Sequence, residues 1–138
     1  MTGATTKKVG YTPYDAGLPN SSTTFIEGGR YGSVYIWNQA HVTINDAEID
    51  VIDCCAINYW RAGKLLGKLT VDNGTKIGTL RVTPGSFKPS ILIKAGSEIG
   101  QLIYNGENES YIVIEQGAQI GEILFNGKPY TLEEWLNR

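Results

Sequence analysis

The sequence predicts an all-β fold, a right-handed parallel β-helix (solenoid) of about four coils with a short C-terminal capping helix. The first observation is a repeat. Gly74-Thr75-Lys76-Ile77-Gly78-Thr79-Leu80 recurs as Gly96-Ser97-Glu98-Ile99-Gly100-Gln101-Leu102 and as Gly117-Ala118-Gln119-Ile120-Gly121-Glu122-Ile123, with the leading glycines 22 and 21 residues apart. A fixed period of this size marks a stacked array in which each unit buries its apolar face on its neighbours. The second observation is the apolar pattern inside a unit. Short runs (Leu69/Val71, Ile77/Leu80, Leu80/Val82 in the first unit) are separated by polar turns containing glycine, which predicts three short strands per coil. The third is coil length. Three hexapeptides would make a coil of roughly 18 residues, the left-handed type, so the longer period favours the right-handed one.

Each element follows from these rules. The repeated glycines are expected at corners that need φ > 0 or a close approach of neighbouring coils. Coils about 4.8 Å apart would place Ile77, Ile99 and Ile120 above one another as a buried ladder. Residues 1–24 are polar, lack periodicity and read as an extended N-terminal arm. The arm either stays disordered or lies along the domain, or it orders on a partner through Tyr11, Tyr14 and Leu18. The solenoid is assigned to 25–130. It opens with Phe25 to Trp37, where Gly28-Gly29 is a turn and Val34/Ile36 and Tyr35/Trp37 take opposite faces. Val42 and Ile44 form the next apolar pair. Asn45-Asp46-Ala47 takes the turn slot later held by Gly74, although 28 residues separate Ile49 from Ile77. Terminal coils of a repeat array are atypical in this way. At the C-terminus, Thr131-Leu132-Glu133-Glu134 fits a capping box, and Tyr130 can staple onto Trp135. A helix is expected over about 131–137, within a cap assigned to 131–138. Its Leu132, Trp135 and Leu136 should plug the last coil or pack on another chain, since an uncovered end is an exposed strand edge.

Composition excludes several classes. With 138 residues, 17 glycines and 41% hydrophobic content, the chain is one domain, or one domain and an arm. Its net charge is −2, and Lys7-Lys8 is the only adjacent basic pair, so no nucleic-acid partner is expected. No apolar stretch is long enough for membrane insertion. The residues after Lys7-Lys8 form no hydrophobic h-region, so no signal peptide is expected. Cys54 and Cys55 are adjacent, a spacing that suits neither an unstrained disulfide nor a zinc site. Reduced thiols, one inward and one outward on a strand, are expected from a reducing compartment.

Candidate chemistry is sparse. His41 is the only histidine, and no nucleophile–base set stands at recognisable spacing. The glycines recur in every regular coil, so they mark architecture and no phosphate loop. Asp46, Glu48 and Asp50 alternate and would share one outward strand face, with Asp53 close by. They read as the solvated side of a half-buried strand, with a glycan or cation site and glycoside hydrolysis as the alternatives. No metal and no cofactor is expected. Tyr31, Tyr35, Trp37, Tyr59, Trp60, Tyr104 and Tyr111 are many aromatics for so short a chain. They fill the core or oligomer contacts. Any that face outward, with Tyr35, Trp37, Tyr59 and Trp60 as candidates, would meet a glycan or a protein partner.

The repeated Gly-x-x-Ile-Gly-x-Leu/Ile units, the polar arm and the capped tail resemble short β-solenoid virion proteins of tailed bacteriophages: head fibres, tail fibres and tailspike shafts. The resemblance covers residues 65–138 and, more weakly, 25–64. It implies attachment to other virion proteins through the arm, homotrimerisation, and a surface that meets host glycans. It also implies a virion location after synthesis in the host cytoplasm. No site residue is carried over. Coils this few leave little room for the long sugar groove of a depolymerase, so no enzymatic activity is expected. Two other readings stand beside this one: a small phage-encoded binding protein that inhibits a host defence protein, and a polysaccharide-active enzyme.

Overall fold

The computed structural model describes residues 23–37, 41–55, 68–83, 90–106 and 112–138, with backbone only at 23, 24, 35–37 and 55. Strands β1 (Thr23–Glu27), β3 (His41–Asn45), β5 (Lys68–Val71), β7 (Ser90–Ile93) and β9 (Ile112–Ile114) form one sheet in that order. Strands β2 (Arg30–Trp37), β4 (Glu48–Cys55), β6 (Lys76–Thr83), β8 (Glu98–Tyr104) and β10 (Gln119–Phe125) form the other, with β11 (Lys128–Tyr130) on its edge. All pairings are parallel except that of β11 with β10. Up to β10 the chain therefore alternates between the sheets, returning to the first at β3, β5, β7 and β9. This is a β-solenoid, closed by helix α1 (Leu132–Leu136). β1 begins two residues inside the segment assigned to the arm.

The interior is built of ladders. Tyr31, Ile49, Ile77, Ile99 and Ile120 align in register and are buried. Val34, Ile52, Leu80, Leu102 and Ile123 form a second buried ladder. Ile26, Ile44, Val71, Ile93 and Ile114 line the opposite wall. Each aliphatic side chain among them contributes about 1.5–3 kcal/mol by leaving water. Cys54 points inward, as alternation requires.

One detail differs from the expectation of three strands per coil. The second and third apolar runs lie on one strand: in β6, Ile77, Leu80 and Val82 all face the core. Strict alternation would send Ile77 and Leu80 to opposite faces. The strand escapes this by bending at Gly78, where the register passes from Ile77↔Ile99 to Thr79↔Gln101. An unpaired position that bends a strand in this way acts as a bulge does. The other detail is the corner between sheets, where the glycines take the expected φ > 0 and only the length varies. Gly74, Gly96 and Gly117 have φ of 81°, 85° and 103°, and Gly28 and Asp46 hold the same slot at 68° and 55°. Glycine takes this left-handed region freely and aspartate tolerates it. The earlier corners are one residue shorter, lacking the position filled by Asn73, Ala95 and Gln116.

The last rung is closed by local signals. Asn126 (φ 51°) and Gly127 (φ 83°) form the turn of a β10–β11 hairpin, the type I′ geometry that Asn-Gly favours. Thr131 Oγ1 accepts from the Glu134 N–H at 3.1 Å, and the Thr131 N–H donates to Glu134 Oε1 at 2.8 Å. That is the expected capping box.

Candidate functional site: a furrow beside a charged ladder

The outer face of the six-stranded sheet carries the densest set of charged groups that the fold aligns. Just past the corner, Arg30, Glu48, Lys76 and Glu98 occupy one register column, and Gln119 ends it. The signs alternate because each residue stacks on its neighbour one rung away. Arg30 Nη1 lies 3.1 Å from Glu48 Oε2, and Lys76 Nζ lies 3.8 Å from Glu98 Oε2. Arg30 Nη2 reaches Asp50 Oδ1 at 4.0 Å. These side chains are all more than half exposed, so each pair contributes only about 0–1 kcal/mol. They set register and surface chemistry more than stability.

Beside the ladder runs a furrow. Its floor is Gly78 and Gly100, with Asp50 in the same slot one rung earlier and Gly121 one rung later. An added Cβ at these glycines would meet the carbonyl oxygens of Asp50, Gly78 and Gly100 at 2.6, 2.7 and 2.6 Å. The bend that turns Ile77 and Leu80 to the same side brings successive backbones together here, and glycine fills the slot on three successive rungs. The resulting open depression holds about 330 Å³ and is lined by Arg30, Glu48, Asp50, Lys76 and Glu98 over Gly78 and Gly100. Past the furrow, Gln101 Nε2 donates to Glu122 Oε1 at 2.7 Å, and Arg81 pairs with Asp53 at 3.3 Å.

The four carboxylates do not form one set. Glu48 and Asp50 do face outward together and share Arg30. Asp46 is off the strand, in the left-handed corner, with Oδ1 against Gly74. Asp53 lies beyond the bend with Arg81. The alternation read from sequence fails at Asp46, because a corner precedes Glu48, and it holds for Glu48 and Asp50. Among the described residues, no group of three or more His, Cys, Asp or Glu is placed to hold a metal ion.

The aromatics divide. Tyr31 and Tyr104 are fully buried, and Tyr104 stacks on Phe125 at 5.2 Å. Tyr35 and Trp37 lie on β2 in register with Asp53 and Cys55. Tyr59, Trp60 and Tyr111, and the arm residues Tyr11, Tyr14 and Leu18, lie outside the described residues. At the cap, Trp135 is buried against Phe125 (5.5 Å) and, edge-on, Tyr130 (5.7 Å). Leu132 is partly buried and Leu136 is exposed. Within their own chain, Trp135 and Leu132 pack against the core at the last rung.

Sequence reasoning missed Arg30, Lys76 and Glu98. The signal was present: Lys76, Glu98 and Gln119 stand two residues after the leading glycine of each unit. Aligning the units for their polar positions as well as their apolar ones would have found the column. Comparison with protein families, with characterised proteins and with solved structures finds no match to this β-solenoid chain.

Proposed function

We propose that this chain is a non-enzymatic structural protein of a phage virion, a short fibre or decoration protein. It attaches to other virion proteins through its N-terminal arm, assembles as a homotrimer, and presents an outer surface to host glycans. The observation that carries the reading is the asymmetry of the solenoid. The C-terminal rung is closed by the hairpin and by Trp135, whereas the arm joins β1 at the rung farthest from that cap. One end is built to stop and the other to be joined. The furrow supports a binding role over catalysis, because Glu48, Asp50 and Glu98 lie against Arg30 and Lys76 on an open surface.

Light scattering on the purified full chain tests the assembly, and a stable trimer is expected. A monomer at high concentration removes the fibre reading and favours a small binding module acting on a host protein. Incubation with host capsule tests the chemistry. Reproducible release of oligosaccharides, lost in Asp50→Asn, would establish an enzyme instead. Deleting residues 1–22, which leaves β1 intact, is expected to abolish incorporation into particles.

A further inference from the structure

Three Asn-Gly pairs occur among the described residues: Asn73-Gly74, Asn105-Gly106 and Asn126-Gly127. In an open chain this dipeptide is prone to deamidation. The glycine backbone nitrogen, giving up its proton, attacks the asparagine Cγ. The new C–N bond closes a succinimide ring and the side-chain nitrogen leaves as ammonia. One water then opens the ring at either carbonyl, leaving aspartate or isoaspartate. The step is intramolecular, so its rate depends on whether the nitrogen and Cγ can meet, and asparagine counts among the thermolabile residues.

The solenoid keeps these partners apart by hydrogen bonds between rungs. The Gly74 N–H donates to the Gly96 carbonyl at 3.0 Å. The Asn73 side chain leans to the next rung, where Oδ1 fills the space a Cβ on Gly96 would need. At the far end, the Gly106 N–H donates to Asn126 Oδ1 at 2.9 Å, and Asn126 Nδ2 donates back to the Gly106 carbonyl at 2.6 Å. This reciprocal clasp engages the nitrogen that would attack Asn105. It also ties both polar atoms of the Asn126 amide to Gly106 on the neighbouring rung.

We infer that the fold shields all three Asn-Gly pairs from deamidation, and that the Asn126 side chain is the specific guard of Asn105. The inference is independent of the virion reading. Two variants separate the parts of the clasp. Asn126→Gly keeps a turn that accepts positive φ but removes both bonds to Gly106. Asn126→Asp keeps an oxygen to accept the Gly106 N–H.

The full chain, folded or in urea, is incubated at mildly alkaline pH, and deamidation at each site is followed by peptide mass spectrometry. In the folded protein all three sites are expected to react roughly tenfold or more slowly than in urea, since attack requires local opening. In folded Asn126→Gly, Asn105 is expected to approach its rate in urea while Asn73 stays slow. In Asn126→Asp, Asn105 is expected to stay slow. Equal rates at Asn105 in folded and unfolded wild-type chain would overturn the shielding, and this comparison stands even if a variant does not fold. A slow Asn105 in folded Asn126→Gly would overturn the guard. So would parallel acceleration of Asn73 and Asn105, which reports general loosening.

Discussion

Gly78, Gly100 and Gly121 are glycines for a different reason from Gly74, Gly96 and Gly117. None of the first three adopts a positive φ, and each faces a carbonyl oxygen of the rung before it. The obstacle is backbone, so an added methyl must push rungs apart; Gly100→Ala is expected to cost about 1–3 kcal/mol. Gly127 is the opposite case, with nothing near an added Cβ but φ at 83°, where an L-residue is strained by roughly 1–2 kcal/mol. Asparagine tolerates that region, so Gly127→Asn should recover much of what Gly127→Ala loses. Gly100→Asn should recover nothing, because its obstacle is space. Urea midpoints of the four variants check this, and a rescue at Gly100 would refute the collision account. The sequence announced that these glycines serve the backbone, since they recur in every unit. It did not separate the two slots, because strain and close approach leave the same letter. The carboxylates were harder still. Alternation placed Asp46 beside Glu48 and Asp50 only while the corner stayed unseen.

Among the elements, α1 was the most legible, because a capping box and a staple are satisfied within six residues of sequence. The β10–β11 hairpin carried an equally local signal in Asn126-Gly127. It was hidden because Asn105-Gly106 ends the preceding unit with the same letters, so the pair read as repeat punctuation. The structure also decides what the helix does for its own chain. Trp135 is buried at 5% exposure against Phe125 and Tyr130, and the Arg138 guanidinium lies 3.5 Å over its ring. Trp135→Ala should therefore lower the stability of each chain by about 3–5 kcal/mol. Thr131→Ala removes one capping bond and should cost about 1 kcal/mol. Denaturant unfolding of both variants measures this. If Trp135→Ala dissociates the assembly with the chain's own unfolding unchanged, the side chain belongs to an interface and not to the cap. Leu136, at 49% exposure, is the residue of this trio left facing outward.

At the scale of the whole molecule, the strand pairings among the described residues join each rung to its neighbours, so stability is close to a sum of rung and interface terms. This is why the fold was legible: one period, read from Leu69 to Gly127, fixes the parallel order of both sheets. The N-terminal rungs were fainter because their corners are one residue shorter and the step from Ile49 to Ile77 is long. The same logic predicts a gradient along the stack. Ile99 is buried between Ile77 and Ile120 in its ladder, whereas Ile120 sits on the last parallel rung and retains 8% exposure. Removing the Ile99 side chain opens a cavity with neighbours above and below, so Ile99→Ala is expected to cost about 2–5 kcal/mol. Ile120→Ala should cost less, since its cavity opens toward the cap and water. Amide exchange should follow the same order, with β6 and β8 opening only near the free energy of global unfolding and β10–β11 opening earlier. Hydrogen exchange on the wild type and on both variants checks the gradient. Uniform protection from end to end, with equal losses at Ile99 and Ile120, would mean that the rungs unfold as one unit and that nearest-neighbour terms do not describe this solenoid.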